Sequence, residues 1–308
     1  MLPYLSHKAH MQHVYGKALF SIPVNLEFGC PNREKDGSGG CSFCPEHGAR
    51  AAQIADAKNV EEQIQKALSF AKRRYKADSF ALYIQAYTGT FASLLKQKEA
   101  YEKLLSLYAF DAFHIGTRPD CLDAEIIELL ESYKKRGLEV DIELGIESIY
   151  NETLQNLNRG CTHEDFISAM KLLENSSLDV CVHTILGLPG ETREMIVKYA
   201  DEINKFEKIN FVKFHHLHIV KGSIMGVKYK REPFPLFTLE EYTDILCKIL
   251  PKLRPDIVIQ RLFALSDVEM LIAPKWGLKK SQIQNYIDAE LERRNIIQGS
   301  EYRGKMSV

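Results

Sequence analysis

The chain has 308 residues, 45% hydrophobic and 26% charged, a composition that suits a globular protein with room for a sizeable core. No apolar run approaches the roughly 18 residues that span a bilayer, no leader or targeting motif opens the sequence, and an odd count of seven cysteines fits a reducing compartment, so a cytoplasmic protein is expected. A formal net charge of −1 excludes a polycation that grips nucleic acid over its whole surface.

Strand-like apolar runs alternate with amphipathic helical runs, the signature of βα units on a parallel sheet. The first strand is expected at Phe20 to Phe28. Directly after it lies a glycine-punctuated loop with Cys30, Cys41 and Cys44, ten residues separating the first pair and two the second. A turn through Gly37, Gly39 and Gly40 lets three thiolates converge on one centre. Two readings of that centre are open: a zinc knuckle completed by His47, and an iron-sulfur cluster held by three thiolates with one iron left for an outside ligand. The helix that follows puts Val60, Ile64, Ala67, Leu68, Ala71 and Tyr75 on one face. Glu61 and Glu62 open it and Lys72, Arg73, Arg74 and Lys76 close it, in accord with the helix dipole, so that basic cluster reads as a solvated helix end.

Further strands are expected at Ser79 to Ala86, Asp111 to Gly116, Leu138 to Gly145, Asp179 to Leu186, Asn210 to Val220 and Asp256 to Leu262. Asp123 caps a helix ending at Gly137; Thr162 with Asp165, Thr238 with Glu241 and Ser281 with Gln284 open later ones. The segment Lys221 to Phe237, rich in Gly, Pro and basic residues, reads as a long loop. The expected fold is α/β: an N-terminal segment at 1–19, a partial (β/α)6 TIM-like barrel of parallel strands at 20–250, and a small C-terminal α/β extension at 251–308.

Active sites of such barrels gather at the carboxyl ends of the strands. The cysteine loop, Tyr87 to Thr90, Glu147 with Ser148, and Gly187 to Glu191 all follow expected strands. His183, His215, His216 and His218 lie on strands five and six, with His216 and His218 on one face; buried histidines more often satisfy core hydrogen bonds than catalyse. Cys121, Cys161, Cys181 and Cys247 lack C-x2-C spacing and read as small core residues, so no second cluster is expected.

Five phrases then appear in order: Gly29-Cys30-Pro31-Asn32-Arg33, Gln85-Ala86-Tyr87-Thr88, Gly116-Thr117-Arg118-Pro119-Asp120, Glu143-Leu144-Gly145-Ile146-Glu147-Ser148 and Leu186-Gly187-Leu188-Pro189-Gly190-Glu191-Thr192. With the Cys-x10-Cys-Ser-Phe-Cys loop, the chain resembles the radical S-adenosylmethionine superfamily. Its long first gap resembles the branch of the elongator catalytic subunit and the bacterial YhcC/YtqA-like proteins. The resemblance implies that Cys30, Cys41 and Cys44 hold a [4Fe-4S] cluster whose open iron binds S-adenosyl-L-methionine. It places Phe43, Gly187 and Pro189 by the adenine, Thr88 and Gly89 by the methionine amino group, and Glu147 and Ser148 by the ribose or methionine portion. Arg159 is implied to pair with the methionine carboxylate through its guanidinium fork, the alternative being a surface ion pair at a helix end. The implied reaction is reductive cleavage of S-adenosylmethionine to a 5′-deoxyadenosyl radical that takes hydrogen from the substrate, with a flavodoxin or ferredoxin-type electron donor.

The same resemblance implies tRNA, at the wobble-uridine side chain, as the substrate class. Lys228, Lys230, Arg231, Lys275, Lys279, Lys280, Arg293 and Arg294, with Tyr229 and Trp276 interleaved, suit phosphates and a stacked base. From residue 221 onward there are 15 Lys and Arg against 11 Asp and Glu, a net of +4, against −5 for residues 1–220; an ordinary solvated surface reaches the same asymmetry. The elongator subunit's acetyltransferase domain has no room here, so acetyl transfer is not implied. The rival readings are a radical enzyme acting on a small metabolite, and a non-enzymatic protein that binds a metal or cluster and senses redox state.

Overall fold

The computed structural model describes residues 2–304 except 35, 46, 47, 49, 50, 52, 53 and 55. Seven parallel strands form one sheet: β1 (Phe20–Val24), β2 (Phe80–Ile84), β3 (Ala112–Thr117), β4 (Glu139–Glu147), β5 (Asp179–Leu186), β6 (Ile209–His216) and β8 (Val258–Arg261). They pair in chain order. With right-handed crossovers, chain order puts the connecting helices on one face and rolls the sheet into an open half-barrel. Those helices include α2 (Val60–Tyr75), α3 (Leu94–Ser106), α4 (Ala124–Lys135), α6 (His163–Leu173), which the short α5 (Asn151–Asn156) precedes, α7 (Arg193–Asn204) and α9 (Leu239–Ile249).

Strand alternation separates two environments. Val140, Ile142 and Leu144 of β4, Val180 and Val182 of β5, and Val212 and Phe214 of β6 are fully buried in the core under the helices. The intervening residues face the hollow of the barrel. At the amino ends of β5, β6 and β8, helix α1 (His7–Tyr15) closes that hollow, Met11 packing with Cys181, Phe211 and Val258. Ser6 caps α1 by accepting from the Ala9 amide, and the Ile259 amide donates to Leu5 O at 2.8 Å. The carboxyl ends are left for the site.

Several expected boundaries hold to the residue. Asp123 accepts from the Ile126 amide at 2.8 Å, and Thr162 with Asp165 and Thr238 with Glu241 form reciprocal capping boxes. Four details differ. The sheet has a seventh parallel strand, because β8 pairs with β6 and helix α10 (Lys280–Arg293) packs Ile283, Ile287 and Leu291 into the main core. The sixth expected strand stops at His216, and Ile219–Val220 (β7) turns away to pair antiparallel with β9 (Leu271–Ala273). The expected loop from Lys221 to Phe237 contains helix α8 (Ile224–Arg231), because Ser223 accepts from the Gly226 amide at 2.9 Å and so caps it. Helix α10 begins at Lys280, with the Lys279 amide donating to Gln282 Oε1 at 2.9 Å. Among the described residues no helix is long and apolar enough to cross a membrane.

Candidate active site

The cysteine loop leaves the carboxyl end of β1 and closes on itself. The Gly40 amide donates to Asn32 O at 2.6 Å, and the Cys44 amide to Cys41 O at 3.0 Å. Arg33 crosses the loop, donating to Gly37 O at 3.0 Å and to Pro45 O at 2.9 Å. Gly40 has φ +86°, a conformation that favours glycine, and a Cβ there would lie 2.8 Å from the Arg33 guanidinium carbon and push that side chain aside. The sequence signalled the glycine turn; Arg33 as its staple is visible only in three dimensions.

Hydrogen bonds to the loop's backbone dock it onto the barrel. The Ser42 amide donates to Leu157 O at 2.7 Å, Asn158 Nδ2 to Gly40 O at 2.9 Å, and the Met225 amide of α8 to Ser42 O at 2.7 Å. Cys41 is buried and Cys30 and Cys44 are half-buried. Arg159 Nη1 donates to Cys41 Sγ at 3.6 Å and Asn32 Nδ2 does so at 3.7 Å, a setting that suits an electron-rich sulfur. Burial pushes the Cys44 thiol up, Arg33 draws it down, and the neighbouring Cys41 and Cys30 push it up again, leaving it raised.

The three sulfurs do not gather within 4.8 Å of one another. A tetrahedral zinc with Zn–S bonds of about 2.3 Å would hold them about 3.8 Å apart. A polynuclear cluster, whose thiolates sit on different irons, fits the wider set. His47 lies outside the described residues. Ser42 Oγ, Thr88 Oγ1 and Arg159 Nε are buried around the loop with no partner among the described residues, polar atoms available to a bound cofactor.

The other expected residues divide by what already engages them. Gly89 donates from its amide to Gly116 O at 2.9 Å and accepts at its carbonyl from Tyr101 Oη at 2.7 Å; a Cβ there would lie 2.8 Å from that same Gly116 oxygen. The close approach at Gly89 is therefore made to β3. Arg159 is 6% exposed, which removes the surface-ion-pair reading. Its Nη2 donates to Gly145 O at 2.6 Å and lies 3.6 Å from Glu147, whose own φ of +57° ends β4 in a left-handed turn. Arg118 supports it from behind, donating to Arg159 O at 2.7 Å and to Gly160 O at 2.9 Å.

Ser148 donates to Glu191, which also accepts from Tyr199 Oη at 2.9 Å, so the loop after β4 is tied to the turn after β5. In that turn Gly187 has φ +88° and a Cβ would lie 2.8 Å from the Phe237 ring. Phe43 packs against an apolar cluster that contains Leu157, Ile185, Leu188 and Met225, so the residue before the last cysteine and the turn after β5 do meet. Pro189 lines a cleft of about 310 Å³ with Tyr150, Asn151 and His163.

The basic residues separate. Lys228, Lys230 and Arg231 are exposed on the last turn of α8, one helix away from the cysteine loop; Lys275, Lys279 and Lys280 are exposed around the start of α10. Arg293 and Arg294, at the far end of α10, are bound to Glu290 and Asp244. Trp276 stacks on His216 at 3.9 Å between ring centroids and donates to Phe237 O, and Tyr229 packs edge-on to Phe234, so both rings are engaged within the fold. His216 and His218 do share a face, their Nε2 atoms 2.8 Å apart. The seven cysteines are free; Cys161, Cys181 and Cys247 are buried and Cys121 half-buried.

The hollow of the barrel holds a polar network that the sequence pattern did not assemble. Glu143 of β4 is 2% exposed and accepts from Lys213 Nζ of β6 at 2.5 Å, while His183 Nε2 of β5 lies 3.0 Å from its other oxygen. The Lys213 ammonium sits 4.9 Å above the Tyr83 ring of β2, and His114 of β3 pairs with Asp141 of β4 at 3.3 Å. Burial pushes the Glu143 carboxyl up, but Lys213 and His183 outweigh it and hold the group well below the usual carboxylate range. Burial and then Lys213 hold His183 below its ordinary value. Glu143, Cys181 and His183 offer three ligand atoms within 4.8 Å, yet the Lys213 ammonium on Glu143 opposes a cation there. The signal in the sequence was the charge at alternate positions of otherwise apolar strands.

The Radical SAM superfamily model matches residues 25–203 and the Radical_SAM C-terminal domain model residues 209–293. An uncharacterized protein of Methanocaldococcus jannaschii is 33% identical over 95% of this chain and 90% of its own, and YhcC of Escherichia coli is 32% identical over 85% and 84%. The tRNA uridine(34) acetyltransferase of M. jannaschii is 31% identical over 69% of this chain but only 38% of its own length. The archaeal Elp3 of Methanocaldococcus infernus has the same fold, with a TM-score of 0.68 at 21% identity, covering 91% of this chain and 64% of that one. Methylornithine synthase (PylB) has a TM-score of 0.53 at 13% identity, covering 94% and 86%. From the half-barrel, the three-cysteine loop at its mouth and these matches, the chain belongs to the radical SAM superfamily, enzymes that use a [4Fe-4S] cluster and S-adenosylmethionine.

Proposed function

We propose that this enzyme modifies the side chain of wobble uridine in tRNA, with Cys30, Cys41 and Cys44 holding the cluster. The observation that carries the substrate is α8: its Met225 amide is bonded to the cysteine loop, and its last turn presents Lys228, Lys230 and Arg231 to solvent beside the mouth of the barrel. The likeness to a tRNA uridine(34) acetyltransferase supports the same reading. Bound at the three thiolates, the cluster supplies an electron for reductive cleavage of S-adenosylmethionine. Arg33 keeps the loop closed, Phe43 and Leu188 keep water from the adenine side, and the Ser148–Glu191 bond fixes the two loops that would flank the ribose. Arg159, with one guanidinium nitrogen unpartnered, orients the methionine carboxylate. A flavodoxin or ferredoxin-type protein supplies the electron. The free thiols support a reducing, cytoplasmic setting for the enzyme.

Three measurements test this reading. Arg159→Ala should weaken S-adenosylmethionine binding by about 1.5 to 3 kcal/mol, the range for a charge-assisted hydrogen bond, with iron content retained. Calorimetry that finds unchanged affinity removes Arg159 from the cofactor site. Reversing Lys228, Lys230 and Arg231 to Glu should weaken tRNA retention on filters and flatten its salt dependence, by a slope of about 0.9 per lost phosphate contact. S-adenosylmethionine affinity should stay as it was. Nucleoside analysis of tRNA from cells with and without the protein decides the substrate, and identical wobble uridines in both would overturn the tRNA reading.

A further inference from the structure

The hollow of the half-barrel stays open beneath its mouth. At inward positions Tyr83, Gln85, Gly116, Gly145, His183 and His215 are only half-buried, while residues between them, such as Ile84, Leu144, Val182 and Phe214, are sealed in the core. His183 pairs with Gly145, one inward step of about 7 Å below Glu147 and the Arg159 beside it. His215 pairs with Ile185, which packs in the same cluster as Phe43 of the cysteine loop. The two histidines therefore lie under the candidate cofactor site on adjacent strands, their ring centroids 5.6 Å apart.

Hydrogen bonds fix what each ring offers. Glu143 accepts from Lys213 at one oxygen, and its other oxygen lies 3.0 Å from His183 Nε2. A carboxylate only accepts, so His183 carries its proton on Nε2 and presents the Nδ1 lone pair. A bulge sets the opposite state on β6. Val212 pairs with Ile259 and then Lys213 with Arg261, so Gln260 is an extra residue and Arg261 turns into the hollow, its Nη1 3.3 Å from His215 Nε2. A guanidinium only donates, so His215 accepts at Nε2 and presents Nδ1–H. Burial, and then Lys213 for His183 and Arg261 for His215, hold both rings below their ordinary values, which keeps them neutral at pH 7. Neither Nδ1 has a hydrogen-bond partner among the described residues, and neither is among their sealed polar atoms, so both open to the hollow.

We infer that His183 and His215 form a subsite for the imide edge of a uracil ring, His183 Nδ1 accepting from the imide N–H and His215 Nδ1 donating to the carbonyl beside it. Naming the imide as that of a uridine rests on the tRNA reading; the acceptor–donor pair rests on the hydrogen bonds that fix the two rings. The test is calorimetry, without reductant, on cluster-loaded protein carrying S-adenosylmethionine, with uridine and 3-methyluridine as probes. The second lacks the imide N–H. Uridine should bind at least about tenfold more tightly, because the methylated ring leaves the His183 acceptor unpaired. His183→Phe and His215→Phe should each abolish the preference, and retained S-adenosylmethionine affinity checks that they fold. Nitrogen NMR of histidine-labelled wild type should place the proton on Nε2 of His183 and on Nδ1 of His215, a readout that needs no variant to fold. Failure of uridine to bind, equal affinity for the two nucleosides, a preference that survives both variants, or the opposite tautomers would each overturn the subsite. A histidine-dependent preference, together with unchanged tRNA nucleosides in cells lacking the protein, upholds the subsite while the tRNA reading falls. Equal affinities with altered wobble uridines do the reverse.

Discussion

Replacing any one of Cys30, Cys41 or Cys44 by Ala is expected to take the anaerobically reconstituted protein from about four irons per chain to almost none. The reason is geometric. Each thiolate would hold a different iron, and no other cysteine lies in the loop to replace a lost one. The barrel should stay folded, because its core is built from the outer faces of β1 to β6 and the helices over them. Cys121→Ala and Cys247→Ala act as controls and should keep their iron, since Cys121 lies in the turn after β3 and Cys247 on α9. Iron and sulfide assays with circular dichroism read the result. Tightly bound zinc, with no cluster restorable in the wild type, would sink the assignment of this loop to a cluster.

The second large effect is expected in the hollow of the barrel. Lys213→Met leaves Glu143 buried without its cation, and breaking one half of a buried pair costs roughly 3 to 5 kcal/mol. The double variant with Glu143→Leu should recover most of that loss, because apolar side chains of similar size fill the space without a charge to desolvate. Denaturant midpoints measure both. A single variant as stable as the wild type would mean that water, not Lys213, neutralises Glu143. The pair also sets a pH dependence. Glu143 is held well below its ordinary value, so its contribution is present above the unfolded carboxylate value and is lost as pH falls through the folded one. His183 is depressed as well; below about pH 6.5 the unfolded chain takes up its proton first, which lowers stability further in acid.

Much of this protein was legible before folding was considered. Parallel strands buried on one face by helices must be apolar at alternate positions at least, and the runs from Ser79, Asp111, Leu138 and Asp179 announced β2 to β5 within two residues at their starts. Capping residues act through local hydrogen bonds, so Asp123, Thr162 and Thr238 marked helix starts correctly. The cysteine spacing is local too, and it marked the candidate cluster loop. Where a local cue competed with a stronger one, the reading went astray. Glycine, proline and lysine in 221–237 suggested a loop, yet Ser223 caps the start of α8 within it.

What only the tertiary structure decided depends on residues far apart in sequence meeting across the sheet. Glu143, His183 and Lys213 sit on three different strands; His183 pairs with Lys213, while Glu143 pairs with Cys181, one inward step before His183, and its carboxylate reaches both. Nothing within 12 residues of any one of them announces the others. The same holds for Arg159, read from sequence as a ligand for a carboxylate, which in the fold also faces Cys41 and Glu147. The inward turn of Arg261 depends on a single extra residue in the ladder between β6 and β8, a pairing choice that the chain makes only once both strands are in place. Local chemistry is carried by neighbours along the chain and can be read from them; a site at the centre of a rolled sheet is set by register, which depends on how whole faces pack.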